Sequence, residues 1–391
     1  MSESFLSETL PLIDVDVFLS NPLESEVVLE ECRKARRLNF TFDPAADALI
    51  TYGALLLHDS RALEDDNAAF LDLLEDYFDQ PDAELKKDER PDIMYQVGVT
   101  LENTEKPKCA ADEPCLQIIA RLDPAERPLD ISGHHPDPKC RFFWKMGAPP
   151  PYETQYPALN APNVVPQAPH INDKWEETLE KWGTVLKNAV ENIAEMSAIG
   201  LGLPLETFKD AGKYGPHLLG PTASDLRKYG KKNTILAGFH TDLNCFTIHG
   251  RSRYPGLHIW ARNTGKRISV RFPPTGRYLL VQAGKQLEHL TGGLIKAGFH
   301  EVVVNEATVQ TIGKRKITNP GRPCIRISST FFWHLSSDYD LAPIQALAAR
   351  ARPLLSDSTV SGAVESYEPM KVGQQVQKYA HGHSNSDSTL M

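Results

Sequence analysis

His240-Thr241-Asp242 sets an imidazole and a carboxylate two residues apart, and in an extended chain residues two apart point to the same face. Such a pair can share a divalent metal. It needs a third ligand from a distant strand, because three protein donors on one face of an octahedron leave the opposite positions open for oxygen and a co-substrate. His300, heading the apolar run Val302-Val303-Val304, is the best placed, with His249, His258 and His289 as alternatives. A His-x-Asp pair alone occurs in many proteins that bind no metal. Here a second pair reinforces it: Arg326 and Ser328, again two apart, offer a guanidinium and a hydroxyl on one face. The planar guanidinium matches a carboxylate, and its burial is tolerable when a ligand brings the opposite charge. Together the residues describe an open divalent-metal site beside an anchor for a dicarboxylate.

The elements that must position these groups lie in the second half of the chain. Short β-rich runs separated by Gly, Pro and Asn cover 234–239, 246–249, 256–261, 267–272, 278–283, 300–304 and 325–333, the pattern of a β-sandwich or jelly roll. Upstream, the strongest helix spans 172–199, where Trp175, Leu179, Trp182, Leu186, Ala189, Ile193 and Met196 step by three and four down one face. Further helices are expected at 24–37 and 67–78, a short strand at 10–16, and a helix passing into a strand over 44–57. The proline-rich stretch 86–167 reads as long loops able to act as a lid. Residues 305–322 read as an extended hairpin rich in Lys and Arg, and 356–391 as a disordered tail. The expected division is an N-terminal helical and loop region at 1–205, a double-stranded β-helix core at 206–340, and a C-terminal helix and tail at 341–391.

Composition narrows the classes. The chain has 391 residues, 41% of them hydrophobic and 24% charged, which is ordinary for a globular protein. It lacks an apolar run long enough for a membrane span and its start has no basic-then-apolar leader pattern, so no membrane partner and a cytoplasmic location are expected. A formal net charge of −9 argues against nucleic acid as a partner. The six cysteines are scattered, and in a chain of this kind they are expected as reduced thiols. His134, His135 and the residues from Asp137 to Cys140 fit no zinc-ligand spacing and read as loop decoration.

Several blocks then occur in the order found in the isopenicillin-N-synthase-like group of 2-oxoglutarate/iron(II)-dependent dioxygenases, which the chain resembles. They are His240-Thr241-Asp242, Phe246-Thr247-Ile248, Gly256-Leu257-His258-Ile259, the run from Tyr278 to Gly284 with Gln286-Leu287-Glu288 and Leu290-Thr291, then His300, and Arg326 with Ser328. The opening from Pro11 to Asp14 is also similar, so the likeness covers about 10–335. It implies a mainly β, jelly-roll core with flanking helices and an α-rich N-terminal region. It implies His240, Asp242 and His300 as the iron(II) ligands, and Arg326 and Ser328 as the grip on 2-oxoglutarate. Dioxygen would be the oxidant, succinate and carbon dioxide the by-products, and the outcome a hydroxylation, desaturation or cyclisation of a small amino-acid-like or natural-product molecule in a biosynthetic role. An oxidase of the same fold that does not use 2-oxoglutarate, or a non-catalytic binding protein on this scaffold, are the other classes. Tyr95 and Gln96, and by strand alternation Asn244 and Phe246 from His240 and Asp242, and Thr330 and Phe332 from Arg326 and Ser328, are the candidate substrate contacts. The stretch from His217 to Thr222 departs from the family in having no Tyr to help hold 2-oxoglutarate, Glu301 stands where Arg is common, and Lys285 replaces an Asp. The last two are expected as supporting or surface differences.

Overall fold

The computed structural model describes residues 10–20, 44–129, 135–273, 277–357 and 366–384; the helix expected at 24–37 and the loop residue His134 lie outside the described residues. Two sheets face one another, with strands numbered in chain order. The large sheet runs β1 (Leu12–Asp14), β2 (Ala54–His58), β11 (Tyr278–Ala283), β8 (Phe246–His249), β14 (Thr330–Trp333), β5 (His217–Leu219), β4 (Cys140–Met146), β6 (Thr222–Asp225) and β13 (Ile325–Ser328), with β3 (Gly98–Thr100) beside β4. The small sheet runs β10 (Arg267–Ser269), β9 (Leu257–Trp260), β12 (Phe299–Val303) and β7 (Ile235–His240). Nearly all pairings are antiparallel; β1 with β2 is parallel. This is the jelly-roll arrangement with flanking helices that the β-rich runs foretold. Four strands of the first 205 residues, β1 to β4, extend the large sheet.

Helices α1 (Pro44–Tyr52), α2 (Glu64–Phe78) and α4 (Pro169–Leu201) cover the outer face of the large sheet; α3 (Glu113–Arg121) lies elsewhere, against the small sheet. Proline suits the first position of α4 because its missing N–H would have no helical partner there, and Gly202 ends the helix with φ +82, a left-handed conformation that favours glycine. Trp175, Leu179, Trp182 and Leu186 of α4 are buried against Ile248, Val281, Phe331 and Trp333 of the sheet. Each such side chain stabilises the fold by roughly 1.5–3 kcal/mol relative to leaving it exposed. Alternation along the strands sends Thr247, His249, Gln282, Arg326, Ser328 and Thr330 to the opposite, inner face.

Five expectations are corrected. Residues 306–318 form helix α5 (Glu306–Thr318) instead of a hairpin: Asn305 caps it reciprocally with Thr308, and basic residues occupy its last turn. The C-terminal stretch carries helix α6 (Val372–Ser384), anchored by buried Val372 and Val376 and by Gly373 packing on the Tyr156 ring, so residues 366–384 are ordered chain. Cys109 and Cys115 form a disulfide, because the helical turn at 108–111 folding into α3 brings their Cα atoms to 5.2 Å. Cys140, Cys245 and Cys324 are free. The run 325–333 is two strands broken at Ser329, and β13 and β14 pair with different neighbours. The stretch 86–167, read as loops, also contains α3 and β4, and no described helix is long and apolar enough to cross a membrane.

Candidate metal and co-substrate site

The antiparallel register of β7 and β12 sets His300 directly opposite His240, so both imidazoles leave the small sheet on one face with ring centroids 4.2 Å apart. The chain leaves β7 at His240 and turns, which swings Asp242 back over them. Its Oδ1 lies 3.7 Å from His240 Nε2 and 3.9 Å from His300 Nε2. All three donor atoms lie within 4.8 Å of one another. The turn is clamped from the large sheet: Gly284, Lys285 and Gln286 donate backbone hydrogen bonds to the carbonyls of 242–245. Gly284 is needed for that approach, since a Cβ there would sit 2.0 Å from the Asn244 carbonyl oxygen.

Surrounding groups fix the donors. His240 Nδ1 donates to the Gly238 carbonyl at 2.7 Å, which leaves Nε2 as the lone-pair nitrogen facing Asp242. Thr247 Oγ1 donates to Asp242 Oδ2 at 2.6 Å, and Asn244 Nδ2 donates to the Phe246 carbonyl at 2.5 Å. His249 bridges Thr330 Oγ1 at 3.1 Å and Gln282 Oε1 at 3.0 Å, while Gln282 Nε2 lies 3.4 Å from His300. Burial drives His300 down to about 4, helped by the neighbouring His240, and lowers His240 as well. Burial pushes the Asp242 carboxyl up, but His300, His240 and the Thr247 hydroxyl outweigh it and hold it below the ordinary value. Neutral imidazoles with free lone pairs beside an ionised carboxylate are the protonation states that a divalent cation requires.

Arg326 sits on the same inner space. It is 5% exposed, its Nη1 donates to Ser328 Oγ at 2.6 Å, and its Nε is buried without a hydrogen-bond partner. Burial pushes it down to about 10, with no carboxylate to counter that. A buried guanidinium lacking a counter-charge is expensive, and it borders a cavity of about 220 Å³ lined also by His249, Leu257, Val270, Phe272 and Ser328. The donor set therefore fits iron(II), and the orphaned Nε beside a cavity also lined by Arg251, Arg253 and Arg271 fits the far carboxylate of 2-oxoglutarate.

The remaining sequence candidates separate. Thr330 and Phe332 lie on the inner face, Thr330 in the His249 bond and Phe332 against Phe143 with ring centroids 5.9 Å apart. Asn244 is buried and braces the turn. Phe246 belongs to the core behind the large sheet, packing on Phe208 and Trp333. Tyr95 and Gln96 lie in a tight turn, with positive φ at Met94 and Tyr95, where Gln96 Nε2 donates to the Met94 carbonyl at 3.2 Å. Of the alternative third ligands, His249 has both nitrogens engaged, His258 faces Glu301 at 4.0 Å, and His289 packs edge-to-face against Tyr367. Glu301 is fully buried rather than at the surface, accepts the Leu129 N–H, and is pushed up to about 7 by burial. Sequence reasoning missed Thr247 and Gln282; the one signal was a Gln inside the apolar run from Tyr278 to Ala283.

Residues 213–335 match the model of the 2OG-Fe(II) oxygenase superfamily. Azadirone synthase from Melia azedarach is 26% identical over 160 residues, 38% of this chain and 46% of that protein. Clavatol oxidase from Penicillium crustosum is 27% identical over 173 residues, 42% of this chain and 51% of that protein. The chain thus spans about half the length of the curated relatives it matches. Among solved structures, a full-length Neurospora crassa protein in complex with alpha-KG superposes with a TM-score of 0.65 at 16% identity, covering 97% of this chain and 98% of that one. JOX2 in complex with 2OG, Fe and JA gives 0.57 at 16% identity, covering 97% and 87%. At these identities the structural likeness establishes the fold.

Proposed function

On the match of residues 213–335 to the 2OG-Fe(II) oxygenase superfamily model, we propose that the chain oxidises a small organic molecule with dioxygen while converting 2-oxoglutarate to succinate and carbon dioxide. The observation that carries the reading is the pairing of three convergent donors with a buried, uncompensated Arg326 on one inner space. His240, Asp242 and His300 would hold iron(II), and Arg326 with Ser328 would hold the distal carboxylate of 2-oxoglutarate. Bound iron(II) supplies the oxidising chemistry, with two electrons drawn from the decarboxylating co-substrate and two from the substrate.

The protein's own residues do the positioning. Thr247 occupies the second oxygen of Asp242, so one oxygen remains to face the shared centre. His249 and Gln282 link that centre to the strand carrying Thr330, next to Arg326 and Ser328. Leu257, Val270 and Phe272 line the cavity together with Arg251, Arg253 and Arg271, so its wall is mixed and carries basic groups suited to an anion. An oxidase working without 2-oxoglutarate would need its substrate to supply the anion that pairs with buried Arg326. A hydroxylated, desaturated or cyclised natural-product molecule is the product class that the names of the relatives suggest.

The test is anaerobic loading with iron(II) and 2-oxoglutarate, admission of air, and measurement of succinate. Succinate release that needs both iron and 2-oxoglutarate, and is stimulated by a member of a metabolite panel, is the expected result. Oxygen consumption without succinate would overturn the 2-oxoglutarate part, and absence of iron binding would overturn the whole.

A further inference from the structure

The register of the large sheet lines up a row of inner-face residues across five strands. Lys145 on β4 pairs with Leu218 on β5, Leu218 with Phe332 on β14, Phe332 with Thr247 on β8, and Thr247 with Gln282 on β11. Directly paired residues share a face. The row therefore begins at Lys145 and ends at the two residues that touch Asp242 and approach His300.

Lys145 is an unusual cation. It is half-buried, its Nζ reaches one neutral carbonyl, that of Asn160 at 3.3 Å, and among the described residues no carboxylate pairs with it. Burial alone lowers its pKa. The other inner-face cation of β4, Arg141, is by contrast ion-paired with Glu105 and lies 3.8 Å over the Phe143 ring. Between Lys145 and the donor triad the row is apolar. Phe332 packs edge-on against Phe143 above Gly220, where an added Cβ would sit 2.6 and 2.8 Å from the two rings. The strand thus yields its side-chain volume to let the two phenyl rings form a platform.

Resting on the oxygenase reading, we propose that Lys145 anchors a carboxylate of the substrate, and that the substrates are small monocarboxylic acids whose flat or apolar body lies on Phe143 and Phe332. A half-buried ammonium without a counter-charge is costly, and a ligand carboxylate removes that cost while gaining a charge-assisted hydrogen bond. Three strand spacings, roughly 14 Å, separate the backbones of Lys145 and Thr247. A cyclic acid with a short side chain spans what remains once the lysine side chain reaches inward; a simple α-amino acid is too short.

The experiment uses the full chain and a ruler of probes: benzoate, phenylacetate, 3-phenylpropanoate and cyclohexylacetate, each beside its primary amide. Binding is measured by anaerobic calorimetry with iron(II) and 2-oxoglutarate present, and stimulation of succinate release is measured in air. At least one acid is expected to bind about tenfold or more tighter than its amide, the difference one such interaction supplies. Lys145→Met should raise the Kd and KM for that acid about tenfold and bring acid and amide level, with an unchanged melting temperature, and Lys145→Arg should restore most of the preference. The proposal is overturned if no acid outbinds its amide, or if K145M keeps the preference. Failure of the oxygenase reading appears elsewhere, as absence of succinate from wild-type protein with iron, 2-oxoglutarate and air, whereas the calorimetric comparison requires no turnover.

Discussion

The two faces of the large sheet are built by the same strands and do opposite work. On the outer face Ile248, Val281, Phe331 and Trp333 meet the tryptophans of α4 in a dry core. On the inner face Thr247, Gln282, Thr330 and Arg326 hold polar contacts around the donor triad and the cavity, the first three each one residue away from an outer-face neighbour. The two-residue period of a strand thus separates stability from chemistry at single-residue resolution. Substitutions on one face should move the folding equilibrium, and those on the other should move metal and co-substrate affinity.

The largest expected effect is on the inner side. Asp242→Ala removes the one anionic donor, and loss of several kcal/mol of metal interaction should cut succinate release roughly a thousandfold or more. Iron content after anaerobic loading should fall with it, while the melting temperature of the metal-free protein should not drop. A variant with wild-type turnover would remove the triad from the chemistry. On the outer face, Phe331→Ala should destabilise the fold by about 3–5 kcal/mol in denaturant titrations, by lost burial and a cavity. Below its melting range this variant should bind iron as the wild type does, and impaired iron binding would show that the faces are coupled.

The separation also predicts a pH response of the metal-free protein. Burial drives His249, His300 and His334 each to about 4, well below the ordinary histidine value. The folded form keeps them neutral while the unfolded chain takes up protons below about pH 6.5. Their contribution is therefore fully present above that pH and is lost progressively as pH falls towards 4. Denaturant midpoints at pH 7, 6 and 5 should decline, and His334→Gln should make the decline shallower by up to about 1.4 kcal/mol per pH unit. An unchanged slope in H334Q would mean that His334 is not held neutral in the fold.

What could be read from the sequence follows the same division. The convergence of the candidate donors was legible because a strand end and a strand start, at His240 and His300, carry polar residues against an apolar pattern, and the structure brings the ligand atoms of His240, Asp242 and His300 within 4.8 Å of one another. Arg326 and Ser328 were legible because both lie inside one strand, where alternation holds. Extrapolating alternation from Asp242 to Phe246 fails physically: the chain turns between sheets over 241–245, and parity is not carried across a turn. Helix α5 was hidden because it buries only Thr308 and Ile312 among its described side chains, too little apolar periodicity, although Asn305 followed by Glu306 was a capping signal. The disulfide was hidden because composition argues about compartments, whereas the approach of Cys109 to Cys115 is set by a local helical turn.

The sharpest test uses two adjacent residues of β8. Thr247 donates to Asp242 Oδ2 at 2.6 Å, and Ile248 is fully buried against the helices. Thr247→Val keeps the shape and removes the hydroxyl. It should weaken iron binding about 10–100-fold, as loss of a bond that orients a metal ligand does, and cost the metal-free fold no more than about 1–3 kcal/mol through the acceptors left unpaired. Ile248→Ala should do the reverse, with about 2–5 kcal/mol of stability lost and iron affinity retained. Anaerobic iron titrations alongside denaturant titrations on both variants resolve the two quantities. If T247V and I248A shift both together, the sheet acts as one mechanical unit, and the division of labour between its faces fails at the strand where it should be cleanest.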